Sequence, residues 1–107
     1  MNYKKISALI PSINLDDVEK ALLENGAPIV SVGTIRGYDD YHNYFAKDSM
    51  SDGTRVDVLV EEEKVPMIIN AIAKVTHQGM STDGVIAVIP VDKLIHIRDY
   101  KEEDYDE

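Results

Sequence analysis

Cysteine is absent from the chain, which removes disulfides, thiolate nucleophiles and zinc–thiolate centres together. No apolar run approaches the roughly 20 residues of a membrane-spanning helix, and no basic-then-apolar leader opens the sequence. The expectation is a soluble, cytoplasmic protein. Basic residues are scarce: 11 Lys and Arg stand against 20 Asp and Glu, for a net charge of −9. Nucleic-acid binding needs a basic surface for phosphate contacts, so that class is excluded. Ser, His and Asp are all present, but in no nucleophile–base spacing and no elbow motif, so no enzyme is expected.

What is present fits one domain. A chain of 107 residues with a 44% apolar fraction can build a single modest core. From Asp99 to Glu107, six acids against one lysine hold −5 of the net charge. This stretch, 99–107, reads as an acidic, solvated and unstructured tail after a domain at 1–98.

The chain is arranged around Gly79-Met80-Ser81-Thr82-Asp83-Gly84 and the apolar run Val85–Val91 behind it. A turn this rich in small residues lets backbone N–H groups approach a ligand. A strand apolar at nearly every position should be buried on both faces.

Tyr3 to Ile10 alternates, with Ile6, Ala8 and Ile10 on one side and Ser7 and Leu9 on the other, and reads as the first strand. Asn14 is placed to cap a helix running to about Glu24, with Leu15, Val18 and Leu22 inward and Gly26 as its stop. Pro28 to Arg36 returns to a strand pattern. Gly37 then opens a polar, aromatic segment to Gly53 that has neither period and exceeds an ordinary hairpin loop. Thr54 to Val60 is the third strand, with Val56, Val58 and Val60 inward. Lys64 to Val75 is a second helix with Pro66 in its first turn.

Strand, helix, strand, loop, strand, helix, strand is the ferredoxin-like α+β pattern, a four-stranded antiparallel sheet with both helices on one face. Leu9, Val30, Val32, Leu59 and part of Val85–Val91 are expected to supply an apolar second face. No element is left to cover it, so self-association is expected.

Several segments together resemble the PII family of nitrogen-regulatory signalling proteins. They are Lys4-Lys5-Ile6, Asn14-Leu15-Asp16-Asp17-Val18, Arg36-Gly37, Gln78 to Ile86, Pro90-Val91 and Ile95-His96-Ile97-Arg98. The likeness covers residues 4–98 except the segment that would be the family's T-loop, 38–53. It implies a homotrimer with adenine nucleotides in three clefts between subunits. Carried over by position, Ser31, Gly37, Asp57 and Leu59 surround the nucleoside. Gly79, Thr82, Asp83 and Gly84 lie near the phosphates, His96 is a further ligand contact, and Arg98 pairs with phosphate from the neighbouring subunit.

Three departures bear on the ligand. Val85 stands where the family has its B-loop lysine, His96 replaces the first arginine of Arg-Ile-Arg, and Asp40 falls on or near the T-loop arginine. Each lost cation–phosphate bond is worth about 1.5–3 kcal/mol, which favours AMP or ADP over ATP. Tyr38, Tyr41, Tyr44 and Phe45 are the candidate partner contacts, with a membrane transporter or metabolic enzyme as the partner the resemblance implies. No tyrosine matches the family's modified motif.

Two alternatives stay open. One is a metal-responsive trimer like the divalent-cation-tolerance proteins, for which Asp39, Asp40 and His42 are the available donors. The other is a purely structural interaction module. Asp48-x-Met50-x-Asp52-Gly53 is not an EF-hand loop, because Met50 and Leu59 fall at ligand positions.

Overall fold

The computed structural model describes residues 2–37 and 51–106. Four strands, β1 (Tyr3–Pro11), β2 (Ser31–Gly37), β3 (Ser51–Glu61) and β4 (Val85–Val91), form one antiparallel sheet in the order β2-β3-β1-β4. Helices α1 (Leu15–Glu24) and α2 (Val65–Thr76) share one face, so the ferredoxin-like arrangement holds.

Register explains the core. Ile6 lies opposite both Val58 and Val88, and Ala8 opposite both Val56 and Ile86, so this row points one way across three strands. Ile6, Ala8, Ile10, Val56, Val58 and Val60 meet Val18 and Leu22 of α1 and Ile68 and Ile72 of α2 in one buried cluster. Each of the Ile, Val and Leu side chains contributes about 1.5–3 kcal/mol by leaving water.

α1 stops as its sequence predicts. Gly26 takes φ +71°, its N–H bonds to Leu23 O, and the Ala27 N–H bonds to Leu22 O. This closes the last turn as a Schellman motif, with Ala27 buried in the cluster that holds Leu22. The start differs. Asn14 makes no capping bond, because Ser12–Asn14 already forms a 3-10 turn leading into the helix. Ser12 Oγ instead reaches Thr54 Oγ1, 2.9 Å away on β3.

Two other expectations are corrected by register. Val32 lies opposite Val56 and so shares the helix side; it is 46% exposed because β2 is the sheet edge. β4 is the other edge, and Val85, Val88 and Ile89 remain 38%, 41% and 42% exposed. One chain therefore leaves bare the strand whose composition predicted burial on both faces. The end of the chain, expected to be unstructured, carries 3-10 turns at Ile97–Asp99 and Glu102–Asp104, and the rings of Tyr100 and Tyr105 stack 6.1 Å apart.

β3 begins at Ser51, so Ser51–Gly53 belongs to a strand where a loop was expected. β1 leaves β3 at the Pro11–Gly53 pair, while β2 stays paired to β3 through Gly37–Ser51. The sheet thus continues as a two-stranded ribbon. Tyr38, Tyr41, Tyr44, Phe45, Asp39, Asp40 and His42 lie outside the described residues.

Candidate ligand-binding site

The sheet face without helices carries Lys5, Ser7 and Leu9 of β1, Arg55, Asp57 and Leu59 of β3, Ser31 and Gly33 of β2, and Val85, Ala87 and Ile89 of β4. Asp57 is at its polar centre and is only 3% exposed. One carboxylate oxygen, Oδ2, faces three of its neighbours: the Ser31 hydroxyl donates at 2.8 Å, Arg55 Nε lies at 3.3 Å and Lys5 Nζ at 3.9 Å. The other, Oδ1, is buried without a hydrogen-bond partner among the described residues.

Burial opposes the Asp57 charge. The hydroxyls of Ser7 and Ser31 and the cations Lys5 and Arg55 outweigh it and hold the carboxyl below its ordinary value of 3.8. A depressed pKa contributes stability that is complete above the unfolded-state value and lost as pH falls through the folded one. Urea unfolding should therefore show the stability gap between wild type and Asp57→Asn closing between about pH 5 and pH 2. A gap that does not change with pH would show that this charge does not stabilise the fold.

The second group of predicted residues is on the loop after α2. Asp83 turns its carboxylate inward, and Oδ2 accepts the backbone N–H groups of Gln78 at 2.7 Å, Gly79 at 2.9 Å and Met80 at 3.3 Å. The Gln78 bond is the largest cause of a lowered Asp83 pKa, with smaller help from Gly79, Met80 and nearby His77. The His77 Nδ1 atom is 3.6 Å from the same oxygen. The loop then crosses β1 at Gly84, where φ is +109° and ψ is −170°, a region open to glycine alone.

A cleft of about 410 Å³ opens beside this loop between α2 and β4, and its walls include Leu9, Thr76, His77, Met80, Asp83 and Gly84. It takes in Gly79, Asp83 and Gly84 of the predicted set. Ser31, Asp57 and Leu59 lie elsewhere, on β2 and β3, with β1 between them and β4. His96 and Arg98 are exposed beyond β4. Gly37 takes part in the last pair of the ribbon. One chain therefore holds the predicted residues as separate groups.

The family model for "Nitrogen regulatory protein P-II" matches residues 3–101. The chain belongs to this family. It is 31% identical over 102 residues to a nitrogen regulatory protein P-II of Azospirillum brasilense, covering 89% of this chain and 91% of that one. It is 30% identical over 108 aligned positions to nitrogen regulatory protein P-II 1 of Escherichia coli K12, covering 94% and 96%. Among solved structures, Arabidopsis thaliana PII bound to citrate superposes with a TM-score of 0.75 at 27% identity, over 91% of this chain and 82% of that chain. The fold and the signal-transduction family expected from the sequence are both borne out. No helix among the described residues is long and apolar enough to cross a membrane.

Sequence reasoning named Asp57 and Ser31 of this P-II chain but missed Lys5, Ser7 and Arg55 beside them. Alternation places each on the helix-free face, yet only cross-strand register shows that three strands converge on one carboxylate. His77 and Gln78 were missed because the direction of the Asp83 side chain is not written in the residue type.

Proposed function

We propose that this P-II chain is a cytoplasmic homotrimer that binds an adenine nucleotide, AMP or ADP in preference to ATP, in clefts between subunits. Ligand occupancy then biases segment 38–53, whose Tyr38, Tyr41, Tyr44 and Phe45 contact a transporter or metabolic enzyme. A ligand can bias that segment only by its difference in affinity between the segment's states.

The observation that carries the nucleotide reading is Oδ1 of Asp57, buried beside the Ser31 hydroxyl and without a partner among the described residues. A buried acceptor without a donor is costly, and the exocyclic amine of adenine is a donor of the right kind. The separation of the predicted residues within one chain supports a site completed by a second copy. The bare apolar edge at β4 supports the same association. The preference for fewer phosphates follows from Val85 and His96 standing where the family has cations, which leaves Arg98 as the matching basic residue of that set.

Calorimetry with AMP, ADP and ATP tests the reading. AMP and ADP should bind, ATP should bind no more tightly, and Asp57→Asn should weaken AMP by about tenfold or more. Citrate serves as the non-nucleotide anion control. Absence of heat from all three nucleotides at millimolar concentration would remove the nucleotide clause.

A further inference from the structure

Asp57 uses its two carboxylate oxygens unevenly. Three donors from three strands meet on Oδ2: the Ser31 hydroxyl of β2 at 2.8 Å, Arg55 Nε of β3 at 3.3 Å and Lys5 Nζ of β1 at 3.9 Å. Oδ1 is buried and has no partner among the described residues. We propose that Arg55 is a positioning residue, which fixes the turn of the Asp57 carboxylate so that Oδ1 is kept as the acceptor for a ligand's amine. The site then selects a base that carries an exocyclic amine over one that lacks it. This rests on the nucleotide reading above and deepens it, by naming the residue behind the choice of base.

A carboxylate turns easily about its last side-chain bond, so only directed partners hold one oxygen apart from the other. Of the three donors, the Ser31 hydroxyl can rotate, and Lys5 is a turning point charge at the longest distance. The Arg55 guanidinium is planar, and its Nε–H points in a fixed direction. Its place is prepared by the strands. Arg55 and Asp57 lie two residues apart on β3 and so share the helix-free face. Gly33 is paired opposite Arg55, and a Cβ there would stand 3.5 Å from Nη2, so the guanidinium lies across bare backbone of β2. The Arg55 side chain is 48% exposed and that of Asp57 only 4%, so the arginine can be replaced without opening the core.

A cycle that changes both ligand and protein tests this. AMP is compared by calorimetry with purine riboside monophosphate, which keeps ring, sugar and phosphate but has hydrogen in place of the amine. Wild type should prefer AMP by about tenfold or more. Arg55→Gln removes the charge and the directed donor, and should cut that preference at least about threefold. Arg55→Lys keeps the charge without the fixed direction, and should cut it by the same measure. Adding Arg55→Gln to Asp57→Asn should change the preference no further, because Arg55 acts through Asp57.

The proposal is overturned if wild type binds the two nucleotides alike, or if either variant, shown by its melting temperature to be folded, loses less of the preference than this. It is also overturned if Arg55→Gln lowers the preference further in the Asp57→Asn background, which would put Arg55 on the ligand itself. Should one of the single variants lose its fold, the other decides. AMP that fails to bind wild type at millimolar concentration removes the nucleotide reading and the proposal together. AMP that binds, with a preference untouched by the variants, removes the proposal alone.

Discussion

Gly84→Ala will destabilise this protein by about 3 kcal/mol or more, lowering Tm by roughly 15 °C. Two effects coincide at that position. The backbone conformation, φ +109° and ψ −170°, is one that a side chain rarely tolerates. A Cβ added there would also collide with the Leu9 carbonyl oxygen, 3.1 Å from the Leu9 carbonyl carbon and 3.3 Å from Ile10 Cα. Backbone on β1 cannot yield without breaking the β1–β4 ladder, which pairs Leu9 with Val85 immediately after the glycine. Gly79→Ala is the control. Its φ is +81°, but no atom lies within 4 Å of an added Cβ, so only the conformational cost of about 1 kcal/mol remains. Thermal melts of the two variants decide the matter, and equal shifts would mean that the crossing at Leu9 does not hold the loop.

The second large effect is expected at Ile89. This side chain points from β4 to the helix-free face opposite Lys5 and is 42% exposed in the single chain. Its own subunit gains little from it, whereas a trimer closed over this face would bury it three times. Ile89→Asp should leave the fold intact by circular dichroism and abolish association. Burying a charge without a partner costs several kcal/mol per ion, so dissociation should rise by at least about a hundredfold. Lys20→Asp on the exposed side of α1 alters charge without touching this face and should leave sedimentation unchanged. If Ile89→Asp sediments as wild type does, the self-association surface lies elsewhere.

Local patterns in the chain carried most of the fold. Alternation in β1 and β3 gave the buried rows, Gly26 stopped α1 as read, and Pro66 sits in the first turn of α2. What escaped was information held between elements. Val32 looks equivalent to Leu9 in sequence, and only pairing with Val56 places it on the helix side. Asn14 has the chemistry of a cap, yet the turn at Ser12–Asn14 removes the need for one. For the candidate site, family likeness only implied that Ser31, Asp57 and Asp83 would face a ligand. It could not show that one oxygen of Asp57 is satisfied while the other has no partner among the described residues, nor that Asp83 bonds to its own loop. Those facts depend on side-chain direction, which packing decides.

The ribbon beyond Pro11 has a practical consequence. Pairing between Arg36 and Asp52 and between Gly37 and Ser51 fixes both anchors before the intervening stretch begins. Facing Cα atoms in such a ladder stand about 5 Å apart. That makes Gly37 and Ser51 a ready graft point: residues between them can be swapped for those of a cousin, or for an epitope or dye-binding peptide, while the scaffold keeps its alignment.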